Sequence, residues 1–453
     1  MVQKRIAVSA PKIHDIIGIL WSISILVAPL RAYYLLKIGS FNLSFFRIVW
    51  LIMVMVVISM WLQRRGRVYI TSRASYLLTM LWLITIANLV SFTISPDPTI
   101  GDTESRFMIR IFGFLFIVAF GIVAFSTQVY VRRAVRSFLL SALIPLSVAI
   151  FQIIIYQRTG SIPMLPMSWL LVATEGKALG ILYGPEGILR VTSTFLEPNY
   201  FGVYLVLVIL MGLAWLIHGG FKPNQIALKV FNWVILGVSW ILLLFTYSFS
   251  ALFGLCLGLT VLLLLTLKYK KLVLRLMGGV VALLMLLLIA QFVSVYIGGL
   301  NIIYNISKRI EMRLGQGQLQ SIAGRDIYFI EAFKSFAVNP LLGKGAGSLA
   351  DLTEGQLSSA HNTFLTILGE QGLFGGLPVF AFFICIILFL IHKYKLYALW
   401  DKEMAGISAG LLAAMVALIG AAQFYDLMFS YDVGWVLITM AAAHAISPIK
   451  RRQ

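Results

Sequence analysis

The chain of 453 residues is 60% hydrophobic and 12% charged, with a formal net charge of +19. This composition excludes a soluble globular protein, because so apolar a chain needs lipid as the solvent for much of its surface. Apolar runs of about 20 residues are long enough to cross a hydrocarbon core of roughly 30 Å as helices. Backbone polar groups in lipid must be satisfied within the segment, which favours helices over strands.

The apolar runs predict an all-α polytopic membrane protein with about twelve transmembrane helices. We expect a single integral membrane domain over residues 1–453, with an uncleaved first helix because no small-residue cleavage site follows it. In chain order, the predicted spans are 16–35, 43–62, 75–94, 107–126, 134–156, 199–217, 229–248, 250–267, 272–297, 374–392, 405–424 and 431–448.

Basic residues cluster in alternate connections between the predicted spans, as in 63–67, 268–271 and 450–452. By the positive-inside rule, these connections and both termini are cytoplasmic. Acidic residues fall in the connections between them, such as 97–104 and 426–432. The net charge is therefore explained by membrane topology, and nucleic acid is not expected as a partner.

Two long segments fall on the predicted outer face, residues 157–198 and 298–372. The second is a large outer loop between the ninth and tenth spans, with a helix signal of its own. Apolar residues at helical spacing predict a helix that opens at Gly324-Arg325, with Arg325 in its first turn, and ends at Asn339-Pro340. The glycine-rich run 343–347 then allows tight turns with positive φ. This run lacks the Walker A sequence, so it does not predict a nucleotide-binding loop.

His361 is the candidate general base. It is the one histidine of the five in the chain that the topology puts on the outer face, just before a span. Imidazole is the side chain best suited to proton transfer near neutral pH. The alternative is a loop histidine bonded to a carbonyl group. The other histidines map to the cytoplasmic side: His14, His218, His392 and His444.

Four arginines are candidates for binding phosphate, because a guanidinium group stays charged and its donors match phosphate oxygens. Arg190 and Arg325 lie on the two long outer segments, and together they would suit a diphosphate leaving group. Salt bridges within the loops are the alternative. Arg47 and Arg110 lie near the outer ends of spans, where anchoring at the membrane interface is the alternative to binding a lipid phosphate.

Further polar residues near the outer face are candidates for binding substrate. Pro198 fits the first turn of a helix, and Glu197 and Asn199 beside it either cap that helix or contact substrate. Asn362 follows His361, and Glu370 is either a loop carboxylate or a sugar ligand. No cluster of His, Cys and carboxylates has metal-ligand spacing, so we expect neither a metal site nor a cofactor.

Three segments keep a characteristic order: 190–202, which reads RVTSTFLEPNYFG, the Gly324-Arg325 pair followed by 339–345, and 361–375. In these segments the chain resembles the O-antigen ligase and polysaccharide polymerase superfamily of membrane glycosyltransferases. The predicted spans and the large outer loop also agree with that superfamily.

The resemblance implies a GT-C-like fold and a location in the bacterial cytoplasmic (inner) membrane. It implies transfer of a glycan from an undecaprenyl-diphosphate carrier to an acceptor glycan or glycolipid at the outer face, without metal or nucleotide. His361 matches the proposed base, and Arg190 and Arg325 match the arginines that hold the diphosphate. Family members often have an S-R-[SG] motif between the seventh and eighth spans, where this chain has Ser248-Phe249-Ser250. Arg110 and Arg47 are candidates to replace the missing arginine.

Within this superfamily we expect a polymerase of surface or exopolysaccharide repeat units, with an O-antigen ligase to lipid A core as the alternative. A flippase or other transporter of lipid-linked oligosaccharides is an alternative of another class. It would require ionisable residues deep in many spans and two related halves, and neither is evident in the sequence. In a third interpretation, a SEDS-type peptidoglycan polymerase, Asp326 or Asp351 would be the critical residue instead of His361.

Overall fold

The computed structural model describes residues 10–30, 34–38, 41–64, 71–95, 110–161, 181–183, 188–195, 197–219, 226–298, 319–348, 362–425 and 431–449. Most of these residues are helical. The α-helices are α1 (Ala10–Val27), α2 (Phe45–Arg64), α3 (Ser72–Thr93), α4 (Phe120–Phe125), α5 (Gln128–Leu140), α6 (Leu143–Thr159), α7 (Pro198–Ile217), α8 (Ile226–Thr246), α9 (Phe249–Thr266), α10 (Lys270–Gly298), α11 (Leu319–Val338), α12 (Thr363–Tyr397), α13 (Lys402–Ala421) and α14 (Asp432–Ile446).

A helix overlaps each of the predicted spans. Within the described residues, seven helical stretches are long and apolar enough to cross a membrane, and α5 and α6 together form one of them. Other apolar helices, such as α14, are shorter. The structure is therefore that of an all-α polytopic membrane protein, whereas the count of twelve spans stays a prediction.

Two small hairpins lie between the helices, and the sequence analysis did not predict them. β1 (Tyr34–Ile38) pairs antiparallel with β2 (Phe41–Ser44), and β3 (Ile181–Tyr183) pairs antiparallel with β4 (Ile188–Arg190). Strands this short carry too few residues to show a clear alternating pattern. The second hairpin ends at Arg190, one of the residues predicted to bind diphosphate.

Helices α7 and α13 form the centre of the bundle. Their most apolar windows are 94% and 89% buried, against 39% to 44% for the other long apolar helices. Gly406 and Gly410 of α13 lie against α7. A Cβ added to Gly406 would be 3.2 Å from the carbonyl oxygen of Ala214, and one added to Gly410 would be 3.1 Å from Cα of Met211. Small residues four positions apart allow such close contact between helices in membranes. The other long helices keep a wide exposed side that can face lipid.

Helix α11 and the start of α12 lie within residues 298–372, the second long segment that was predicted to face outward. The end of α11 at Val338 agrees with the prediction, but the helix begins at Leu319, so Gly324 lies inside it and does not open it. A glycine inside a helix is tolerated, which is why it is a weak start signal. Helix α12 begins at Thr363, well before the predicted span, and bends at Gly372, whose φ of 58° and ψ of −154° are not helical.

Candidate active site at one end of the helix bundle

Arg190 is the last residue of β4 and lies half-buried between the ends of two helices. Its Nε donates to the carbonyl oxygen of Thr246 at the end of α8, at 3.1 Å. Its Nη2 donates to Oδ1 of Asn199 in the first turn of α7, at 3.3 Å. Two acceptors from different helices therefore fix the orientation of the guanidinium group, and a fixed fork presents a defined direction to phosphate oxygens.

Ser248 joins this arrangement from the start of α9. Its Oγ accepts a backbone N–H of α9 at 3.3 Å and donates to Oδ1 of Asn199 at 2.9 Å. Phe249, at the position where the family often has arginine, has a 54% exposed side chain that packs edge-on against Phe424. A guanidinium group nevertheless lies beside Ser248, because Arg190 shares the Asn199 oxygen with it.

Pro198 occupies the first turn of α7, as the sequence predicts. Glu197 is the N-cap residue by its backbone, but its side chain makes no capping hydrogen bond. The side chain of Asn199 contacts Arg190 and Ser248. Side-chain capping, the structural alternative for Glu197 and Asn199, is therefore not their role.

Two strained residues flank the Arg190 site. A positive φ is uncommon outside glycine, and among the described non-glycine residues it occurs at Ser193, with 51°, and Tyr247, with 47°. Ser193 follows Arg190 closely and is held by the side chain of Gln152, whose Oε1 accepts its N–H at 2.8 Å. Tyr247 directly precedes Ser248. Such conformations cost about 1–3 kcal/mol each and persist at functional sites where the surroundings enforce them.

Asn362 anchors the backbone next to His361. Its Oδ1 accepts two N–H groups from the first turn of α12 at 3.0 and 3.1 Å, and its Nδ2 donates to Oε1 of Gln423 at 3.3 Å. The N–H of Thr363 donates to the carbonyl of Ala422 at 3.0 Å. The buried Asn362 side chain therefore caps α12 and ties it to the end of α13. His361 itself lies outside the described residues. Arg325 lies in α11, and the structure describes its backbone but not its side chain.

The turn after α13 connects the two groups of residues. The ring of Phe424 packs against that of Phe249 with centroids 5.4 Å apart, and Tyr425 packs against Tyr200 of α7 at 5.3 Å. The same turn accepts the hydrogen bonds from the Asn362 region. The start of α12, the start of α7 and the start of α9 therefore meet at one end of the bundle.

Arg47 forms a buried ion pair with Asp432 at the start of α14. Its Nη2 and Nε lie 3.2 and 3.3 Å from Oδ1, and Ser44 donates to Oδ2 at 3.1 Å. The neighbouring Tyr431 donates to the carbonyl of Tyr200 at 2.9 Å, so this pair lies near the start of α7. This contact favours a positioning role for Arg47, whereas its contact with substrate stays a prediction.

Arg110 and Glu370 form a second buried ion pair, with Nη1 and Oε2 2.8 Å apart and side chains only 5% and 1% exposed. The other carboxylate oxygen of Glu370 accepts the N–H of Gly347 at 3.2 Å. The Glu370 carbonyl accepts the N–H of Gly345 at 3.1 Å and Oγ of Ser91 at 2.9 Å. The sequence analysis treated these residues separately as phosphate and sugar ligands, whereas the structure joins them around the glycine-rich turn.

The glycine-rich turn has the predicted geometry. Gly343, Gly345 and Gly347 have φ values of 69°, 93° and 77°. A Cβ on Gly345 would lie 2.8 Å from the backbone of Ile94 and Ser95 at the end of α3. Glycine is therefore needed there both for its φ and for the close approach.

Two histidines outside this site are buried and hydrogen-bonded. Nδ1 of His218 lies 2.9 Å from the carbonyl of Ala214, and Nε2 of His444 lies 2.7 Å from Oγ of Ser408. Burial lowers the pKa of His218; the Ala214 hydrogen bond opposes this shift and the charge of Arg275 reinforces it. In the described ranges no group of three or more His, Cys, Asp or Glu side chains is arranged to hold a metal. The lack of a metal site in the whole protein stays a prediction.

Sequence reasoning missed several polar residues that hold this end together. Gln152 and Gln423 each carry an amide into an apolar segment, and a buried amide is a usable signal because it must find partners. Ser248 was noted only as the site of a missing arginine. Thr246 contributes a carbonyl oxygen, and a backbone acceptor leaves no mark in the sequence.

The fold is that of a polytopic membrane protein. Its polar residues Arg190, Asn199, Ser248 and Asn362 gather at the end of the bundle where α7, α9 and α12 begin. The family model for O-antigen ligase (Wzy_C) matches residues 234–380, from α8 to the part of α12 beyond its bend. This match covers about a third of the chain, and over that region it confirms the resemblance to the ligase and polymerase superfamily. The family implies an enzyme that transfers glycosyl groups. No curated protein sequence matches the chain.

Proposed function

We propose that the protein transfers a glycan from an undecaprenyl-diphosphate carrier to an acceptor hydroxyl at the outer face of the bacterial cytoplasmic membrane. The product in this proposal is a polymer of surface or exopolysaccharide repeat units. The protein has twelve spans in a GT-C-like arrangement with both termini in the cytoplasm. The reaction uses neither a metal nor a cofactor.

The observation that supports this proposal most is the fixed guanidinium group of Arg190. Asn199 and Thr246 orient it from two helices, beside strained backbone at Ser193 and Tyr247. Strain and fixed orientation together favour a preorganised site over a surface salt bridge. Arg190 lies beside Ser248, so its guanidinium group can replace the arginine that the family motif has next to this serine.

In the proposed reaction, His361 accepts the proton of the acceptor hydroxyl while that oxygen attacks the anomeric carbon of the donor glycan. The bond between this carbon and the carrier phosphate breaks, and undecaprenyl diphosphate leaves with the bonding electrons. Arg190 and Arg325 stabilise the negative charge that grows on the diphosphate, an interaction stronger in the transition state than before it.

The remaining candidate residues have supporting roles in this proposal. Asn362 fixes the backbone beside His361, and Glu197 with Asn199 borders the donor. The buried ion pairs of Arg47 and Arg110 hold the walls of the site, since each arginine already faces a carboxylate.

The test is a transfer assay with purified protein in lipid nanodiscs and undecaprenyl-diphosphate-linked repeat units. A ladder of polymer without added lipid A core, unchanged by a metal chelator, is the expected result. Product that forms only when lipid A core is added would identify a ligase instead. Movement of the lipid-linked glycan across vesicles without any new glycosidic bond would contradict the proposal and favour a transporter.

A further inference from the structure

A cavity of about 430 Å³ lies between α7, α8 and α10, at the opposite end of α7 from the Arg190 site. Its lining includes Leu213, Ile217, Lys229, Trp233, Arg275 and Gly278. Asn199 and Ile217 lie about 27 Å apart along α7, which is the rise of some 18 helical residues. The cavity is therefore a separate site, and the proposed transfer reaction does not use it.

The mouth of the cavity is basic. Arg275 is anchored there, because its Nη1 donates to the carbonyl of Ile217, in the last turn of α7, at 3.0 Å. Lys229 approaches from α8, and its side chain is exposed. Across the part of the chain that the structure describes, neither residue forms an ion pair with a carboxylate. Two cations at one mouth without an acidic partner favour an anionic ligand.

The interior of the cavity is lined mainly by apolar residues and has room beside Gly278. A Cβ added to Gly278 would meet nothing within 4 Å. Along α10, the wall changes from Arg275 to glycine and alanine as the helix continues into its apolar part. Exposed side chains of α10 include Leu274, Met277 and Val281, so lipid can reach this helix.

A basic mouth above an apolar groove between helices has the chemistry of a phospholipid: an anionic headgroup followed by acyl chains. We propose that this cavity binds one anionic phospholipid from the leaflet at this end of the bundle. Arg275 and Lys229 contact its phosphate, and an acyl chain lies against Leu213 and Gly278. By the predicted topology this leaflet is cytoplasmic, whereas the transfer reaction is at the outer face.

The test is native mass spectrometry of the full-length protein with phosphatidylglycerol or phosphatidylcholine of the same acyl chains. We expect preferential binding of phosphatidylglycerol. Replacing both cations, Lys229→Gln with Arg275→Gln, should weaken that binding by roughly tenfold to thirtyfold. The matched control, Lys268→Gln with Lys271→Gln, removes the same charge outside the cavity and should change the affinity by less than about threefold.

A second variant separates the cavity from general charge. Gly278→Leu fills the apolar part without removing a cation, and it should also weaken the binding of phosphatidylglycerol while the melting temperature stays near that of the wild type. Millimolar inorganic phosphate should fail to displace the lipid, since it cannot use the apolar groove. Equal loss in the control variant, an unchanged affinity in Gly278→Leu, or displacement by phosphate alone would overturn the proposal.

Discussion

The guanidinium group of Arg190 contacts Thr246 and Asn199 through two different nitrogens. A lysine at this position keeps the charge but cannot make both contacts and face a phosphate as well. We therefore expect Arg190→Lys to slow glycan transfer by about tenfold to a hundredfold, the loss expected for one or two charged hydrogen bonds. Initial transfer rates and the melting temperature of the same sample measure this effect.

The control for Arg190 is Arg136→Lys, because Arg136 is 46% exposed and pairs with Glu403. Its transfer rate should stay near that of the wild type. A lysine at 190 that matches the wild-type rate, or that loses rate only in proportion to lost folded protein, would show that Arg190 is structural.

The Arg110–Glu370 pair is buried, so removal of one partner leaves a charge without compensation. We expect Glu370→Gln to destabilise the protein by about 3–5 kcal/mol. The matched change Glu331→Gln removes an exposed pair with Lys334 and should cost about 1 kcal/mol or less. Unfolding in detergent at increasing denaturant concentration measures both variants.

An unaltered unfolding midpoint in Glu370→Gln, combined with a raised KM for the donor, would contradict the positioning role. That outcome would support Glu370 as a sugar ligand.

The sequence identified some of the polar residues at this site, such as Arg190 and Asn199, but not which side chains contact each other. Arg190 and Asn199 were recognisable because they belong to one motif and are nine positions apart. Arg110 and Glu370 are 260 positions apart, and Asn199 and Ser248 are 49 apart. Which of these side chains meet depends on how the helices pack, and hydrophobic periodicity carries no information about that.

Among the elements, the glycine-rich turn makes the closest backbone contacts, since it joins the end of α3 to the bend of α12. Gly345→Ala would bring a Cβ within 2.8 Å of backbone atoms of Ile94 and Ser95 at a φ of 93°. Gly160→Ala is the matched control, because Gly160 also has a positive φ, 64°, but no atom within 4 Å of the added Cβ. Both variants carry the backbone cost of about 1–2 kcal/mol.

Gly345→Ala should lose about 1–3 kcal/mol more than Gly160→Ala, because backbone atoms cannot move aside as a side chain can. Thermal unfolding of the two variants in one detergent gives the comparison. Equal losses would mean that the turn tolerates movement and is not locked against α3.

Helix positions were predictable wherever a long apolar run decided them. Helix α7 begins at Pro198 and α11 ends at Val338, as expected. The predicted span began at residue 374, whereas α12 begins at Thr363, because the polar residues Glu370 and Gln371 interrupt the apolar run before the bend. The hairpins were missed for a similar reason, since strands of three to five residues give no periodic signal.

We propose that the reaction centre lies at one end of the helix bundle, on the outer face of the membrane, so the membrane topology of the protein is a separate test. In a variant without Cys256 and Cys385, a single cysteine at Ser358 should react with an impermeant maleimide in intact cells. A single cysteine at Arg65 should react only after the membrane is opened. Labelling in the opposite pattern would leave His361 on the cytoplasmic side, where the proposed acceptor is not found.

The role of His361 in the proposed reaction is tested by the rate at which purified His361→Ala transfers glycan from the undecaprenyl-diphosphate carrier. Loss of a general base should reduce this rate by about 100- to 10,000-fold while the melting temperature stays that of the wild type. His392→Ala, which removes an exposed histidine of α12, should retain normal transfer. Near-normal transfer by His361→Ala would contradict the account.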